Sequence, residues 1–219
     1  MKNRSARRAL SWLWPLTEAR VEGLFGPIEA RWEQGRLVAN SSFGNQSFGS
    51  LHRIWQDTFA RIALSADPPR SALLLGLGTG SVPHILRNEL GLKVPVTAVE
   101  LDPAMIRMGR DLFGLDTLAG LEIVEGDATV QVHGMRDRYD LVLVDLFDDL
   151  DLARGVDTPG FAQALRARCD VGGTVCFNTV GYNPESDRRC DRVHENLVRV
   201  FDRVDESRLE GVNRVFIAR

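Results

Sequence analysis

The sequence predicts an α/β protein: a doubly wound, Rossmann-like, mainly parallel sheet with a small N-terminal β-hairpin appendage. Three observations predict it. From Ser71 onward, short apolar runs alternate with amphipathic stretches, the pattern of strands linked by crossover helices. The first apolar run is followed at once by the glycine-rich turn "GLGTGS". Upstream, "GPIEARWEQGRLVAN" alternates around Gly35 in the manner of a hairpin.

Taken in order, residues 1–16 ("MKNRSARRALSWLWPL") read as a flexible basic tail. Ser11 and Pro15 interrupt its apolar part and no small-x-small cleavage site follows, so a signal peptide is not expected. Residues 17–70 hold the hairpin, the loop "SSFGNQSFG" and an amphipathic helix carrying Leu51, Ile54, Trp55, Phe59 and Ile62 at helical spacing. Residues 71–219 form the Rossmann-like nucleoside-binding domain. Its strands are "ALLLG", "PVTAVEL", "LEIVEGD", "YDLVLVDL", "GGTVCFNTV" and "VNRVFIAR". Helices lie between them at "SVPHILRNEL", "DPAMIRMGRDLFG", "DTPGFAQALRARC" and "PESDRRCDRVHENLVRVF". Asp102 and Pro103 are placed as cap and first residue of the second of these helices.

Composition narrows the function. The chain has 219 residues and a net charge of −3, so no sequence-wide attraction to nucleic acid is expected. No run approaches the roughly 18–20 apolar residues that span a bilayer. Three cysteines without a CxxC pair and four scattered histidines argue against a disulfide framework and against a metal site. Reduced thiols fit a cytoplasmic protein.

In doubly wound sheets, ligands bind beyond the carboxyl ends of the strands. Gly76, Gly78 and Gly80 end the first strand, where backbone amides can approach a ligand closely. The dinucleotide pattern GxGxxG is incomplete because Ser81 holds its third glycine position. That counts against an NAD-dependent oxidoreductase. GxGxG, the form common in S-adenosylmethionine (SAM) enzymes, fits. Glu100 ends the second strand, 20 residues beyond Gly80, placed to accept from ribose hydroxyls. At the third strand end, Asp127 is placed for an adenine amino group, with the Ala128 amide beside it. The fourth strand delivers Asp145 toward whatever the nucleoside carries. A sulfonium donor needs an aligned, desolvated nucleophile, and a carboxylate can accept the proton of an attacking amine. Asp148 is a candidate amine contact. Asp149 and Asp151 read as solvated charge.

These motifs, "LLLGLGTGS…VTAVELDPAMI…VEGDA…YDLVLVDLFD", together with the hairpin and "IWQDTF", resemble the spermidine synthase (polyamine aminopropyltransferase) family, a branch of the class I SAM-dependent methyltransferase fold. The resemblance covers roughly residues 25–180. It implies a cofactor set of Gln46, Gly76, Gly78, Thr79, Gly80, Glu100, Leu101, Asp127 and Ala128, a catalytic Asp145, and substrate contacts at Asp148 and Trp55. It also implies a small-molecule amine or polyamine substrate, no metal and a homodimer.

Several positions depart from the family. The glycine loop has Thr79 where the family has an Asp that pairs with the lone ammonium of decarboxylated SAM. This makes intact SAM, and methyl transfer to an amine or other small nucleophile, the leading expectation. Aminopropyl transfer from decarboxylated SAM is the alternative, and a non-catalytic nucleoside-binding protein is a third reading. Trp55 stands for a Tyr and Asn178 near a Gln, and the "GPA"-like gate sequence is absent.

Overall fold

The computed structural model describes residues 4–41, 45–148 and 151–219. A seven-stranded sheet forms its centre. The strands are β5 (Ala72–Leu75), β6 (Val96–Glu100), β7 (Leu121–Glu125), β8 (Tyr139–Val144), β11 (Cys169–Val180), β12 (Val204–Leu209) and β13 (Asn213–Ala218). Their spatial order is β12-β13-β11-β8-β5-β6-β7. β5, β6, β7, β8 and β11 run parallel, and β13 runs antiparallel to both β11 and β12. The order reverses between β5 and β8, which makes their carboxyl ends the switch point of the sheet.

Both faces of the sheet are covered, so its inner strands are apolar throughout. On β5, Leu73 and Leu75 pack into one core with Phe161, Leu165 and Val193. Ala72 and Leu74 point the other way, into a second core with Trp55, Phe59 and Leu86. The first core lies under α5 (Ala128–Gly134), α6 (Pro159–Arg168) and α7 (Pro184–Val198). The second lies under α2 (Ser50–Arg61) and α3 (Ser81–His84). α3 continues as a π-helical turn over Ile85–Glu89, in place of the single helix expected through residue 90.

The N-terminal part is larger than the expected hairpin. β1 (Leu16–Gly23), β2 (Gly26–Glu33), β3 (Arg36–Asn40) and β4 (Asn45–Ser47) form a four-stranded antiparallel sheet. The β2–β3 turn is as read: Gln34 and Gly35 both have positive φ, at 49° and 78°, the conformation a two-residue hairpin loop demands. This sheet packs Ile28, Ala30 and Ala39 onto Ala104, Met105 and Met108 of α4 (Pro103–Phe113). Residues 4–10, read as part of a flexible tail, form helix α1 (Arg4–Leu10). Arg7 fastens it by donating to the Thr17 carbonyl at 2.8 Å and to Glu18 at 3.1 Å. The short strands β9 (Phe147–Asp148) and β10 (Asp151–Leu152) pair antiparallel just beyond β8.

Candidate active site

Strand register brings the site together before any side chain is considered. Leu75 pairs with Val99 on one side and Val144 on the other, and Val144 pairs with Phe177. The next residues, Gly76, Glu100, Asp145 and Asn178, therefore stand side by side at the carboxyl edge of the sheet. Gly76 has φ +92°, and a Cβ there would lie 2.1 Å from the Asp145 carbonyl oxygen, so only glycine permits this approach. Beyond this edge opens a cavity of about 550 Å³, within the range of small-molecule sites.

Asp145 lines the cavity and is held by two neutral donors. Trp55 Nε1–H donates to its Oδ2 at 2.9 Å, and Asn178 Nδ2–H to its Oδ1 at 3.0 Å. Asn213, from β13, donates its own Nδ2–H to Asn178 Oδ1 at 3.0 Å. That bond fixes which way the Asn178 amide faces, so its donor end meets Asp145. Burial pushes the Asp145 carboxyl up to about 6, against the opposing pull of Asn178 and Trp55.

Glu100 lines the same cavity and is gripped by backbone amides. Its Oε2 accepts from Leu77 at 3.0 Å and Gly78 at 2.7 Å, and its Oε1 from Asp102 at 2.9 Å. Burial raises its proton affinity and the three amides oppose that. Oε1 retains room for one further donor. Asp127 caps α5, accepting at Oδ1 from Thr129 N at 2.8 Å and Thr129 Oγ1 at 2.7 Å, while also lining the cavity with Ala128 and Leu101. Asp102 caps α4 as expected, accepting from Ala104 N at 2.8 Å. Its second oxygen accepts from Leu24 N at 2.8 Å, a tie to the β1–β2 turn that sequence reasoning missed. That turn carries Phe25 and Gly26 to the cavity.

Asp148, Gly76, Gly78, Glu100, Leu101, Asp127, Ala128 and Asp145 thus share one cavity. Three expected residues are not on its wall. Thr79 is fully buried and its amide donates to Ser47 Oγ at 3.1 Å. Gly80 serves as the cap of α3, with φ +105°. Trp55, expected to touch substrate, is fully buried and donates to Asp145. Gln46 falls in β4, with its side chain outside the described residues, and Asp149 lies outside them altogether. Asp151, read as solvated charge, accepts from Tyr182 OH at 2.8 Å. Among the described residues, no group of three His, Cys, Asp or Glu is placed to hold a metal ion.

A mainly parallel sheet in this order with one antiparallel strand near its edge, and with a cavity over the switch point, defines a fold of the class I SAM-dependent methyltransferase type. The chain is 27% identical over 146 residues to a probable polyamine aminopropyl transferase of Bifidobacterium longum, covering 65% of this chain and 32% of that protein. It is 31% identical over 137 residues to the polyamine aminopropyltransferase of Chromobacterium violaceum, covering 62% of this chain and 51% of that one. The chain thus spans about a third to a half of the length of these relatives.

Among solved structures, spermidine synthase in complex with the transition-state analogue AdoDATO superposes with a TM-score of 0.66 at 16% identity, over 92% of this chain and 71% of that one. Human methyltransferase-like protein 13 in complex with SAH superposes with a TM-score of 0.63 at 22% identity, over 78% of this chain and 82% of that one. No family model matches the chain. The chain is thus similar in sequence to polyamine aminopropyltransferases and shares the class I methyltransferase fold with these structures.

Proposed function

We propose that the cavity binds decarboxylated SAM and that the protein is an aminopropyltransferase acting on a small-molecule amine. The observation that carries this reading is Asp145, a carboxylate at the switch point held by two uncharged donors and, among the described residues, joined to no cation by an ion pair. The similarity to proteins named polyamine aminopropyltransferases supports it. Methyl transfer from intact SAM was expected from Thr79, but Thr79 does not reach the cavity wall, so that argument loses its footing.

The residues fit the donor. A cradle that excludes any Cβ at Gly76, an amide-held Glu100 with one acceptor position left, and Asp127 with Ala128 would hold the ribose and the base. When bound, the sulfonium supplies a carbon activated toward a nucleophile. Asp145 would orient the acceptor amine and take the proton it loses. Its raised proton affinity suits this role better than an ordinary Asp would, since a base works best when its pKa approaches the operating pH. A nearby carboxylate also stabilises the ammonium form of the amine, and the apolar wall from Leu51, Ile54, Val180 and Val212 counters this by disfavouring charge. Asp148 would receive a second ammonium.

Asp145→Asn tests the assignment. Calorimetric affinity for the donor should change little, while transfer should fall roughly 10²–10⁴-fold. Undiminished transfer in the variant would remove Asp145 from the chemistry.

A further inference from the structure

Arg154 is the only basic side chain among the described residues of the cavity wall, where five acids, Glu100, Asp102, Asp127, Asp145 and Asp148, also stand. Its placement follows from the β9–β10 pairing. Asp148 pairs with Asp151 and Phe147 with Leu152, and the Ala153 amide donates to the Leu146 carbonyl at 3.0 Å. Arg154 follows in the exposed turn after β10 and lines the same cavity as Asp145. Yet no ion pair joins them, and Asp145 is occupied by Trp55 and Asn178. The other arginines around this hairpin are paired: Arg189 and Arg192 both bind Asp157, at 3.2 and 2.6 Å. Arg154 has no hydrogen-bond or ion-pair partner among the described residues.

A guanidinium on the wall of an otherwise acidic cavity is unsuited to a bare polycation, which it repels. It is suited to a carboxylate, which it can grip with two parallel N–H donors. We propose that Arg154 recognises a carboxylate carried by a ligand of this cavity, next to the amine that Asp145 receives. The inference rests on the cavity being the sulfonium-nucleoside site proposed above. Two sources share this chemistry: the α-carboxylate of an intact SAM donor, and the carboxylate of an amino-acid acceptor. In the first case Arg154, rather than Thr79, sets the donor, and intact SAM replaces the decarboxylated donor proposed above. In the second, the acceptor is an amino-carboxylate rather than a simple diamine.

The test uses matched pairs that differ by one carboxylate. SAM and decarboxylated SAM form the donor pair; lysine with cadaverine, and ornithine with putrescine, form the acceptor pairs. Affinities are measured by calorimetry on the wild type, Arg154→Met and Arg154→Lys, the acceptors in the presence of 5′-methylthioadenosine. In the wild type, one pair should favour its carboxylate-bearing member about tenfold or more, the scale of a charge-assisted contact. In Arg154→Met that ratio should fall to about one, and Arg154→Lys should restore part of it. Which pair responds names the source. Equal losses for both members of every pair, or no change in any ratio, would overturn the proposal. Product mass distinguishes this from the reading it rests on. Aminopropyl transfer without a carboxylate preference keeps the proposed function and rejects Arg154. Absence of any nucleoside binding rejects both.

Discussion

Asp145 is positioned by one residue step. Val144 is fully buried in the sheet, and the next residue emerges at its carboxyl edge, where Trp55 and Asn178 are waiting. Its carboxyl, pushed up to about 6 by burial, must be ionised to act as a base. The kcat/KM for transfer should therefore decline about tenfold per pH unit below about pH 6. Asn178→Ala removes one of the two donors that favour the anion, so that acid limb should move to higher pH; an unmoved limb would mean that Asn178 does not hold Asp145 in solution. The same shift has a sign for stability. The folded state binds this proton more readily than the unfolded chain, whose Asp pKa is about 3.9. The charged form thus weakens the fold at neutral pH, and this is relieved as pH falls from about 6 toward 3.9. At this scale the sequence made strand-end acids legible, because a carboxylate following an apolar run is visible in one dimension. Trp55, Asn178 and Asn213 were not legible as a chain leading to Asp145, since they come from α2, β11 and β13 and meet only through register.

Elements divide by how strongly their burial marks the sequence. β5 and β8 are buried on both faces and read as unbroken apolar runs. β1 and β12 were missed because they are edge strands rich in charge: "LTEARVEG" and "VDESRL" show half-exposed patterns that resemble loop composition. The β9–β10 hairpin was missed for the same reason, its acids reading as rim. α4 was legible from its cap, but the second bond of Asp102, to Leu24, was not, because it spans 78 residues. The Asp102 side chain therefore joins α4 to the β1–β2 turn, while its backbone amide donates to Glu100 at the end of β6. Asp102→Ala should cost about 1–2 kcal/mol for the cap alone, read as a lowered denaturant midpoint, and should weaken donor binding as Phe25 and Gly26 lose their anchor at the cavity. Loss of stability with full donor affinity would limit Asp102 to capping.

On the scale of the whole molecule, the alternation of strands and helices was enough to specify a doubly wound sheet and the edge of it to search. It did not reveal that the N-terminal segment is a four-stranded sheet packed on α4, since that contact pairs small residues, Ala30 and Ala39, with Met105 and Met108. Nor did it separate the two donors. The glycine-loop position that suggested methyl transfer is buried, and Arg154, the one basic residue of the cavity wall among those described, follows β10 in a turn with no sequence signature. The proposed chemistry is alkyl transfer from a sulfonium nucleoside in this cavity, with decarboxylated SAM as donor. The most direct measurement is mass spectrometry of a panel of amines, including diamines, polyamines and amino acids, incubated with the protein and each donor in turn. An amine heavier by one aminopropyl group is expected with decarboxylated SAM, and lost in Asp145→Asn. A product heavier by one methyl group with SAM, or no product from either donor, would contradict it.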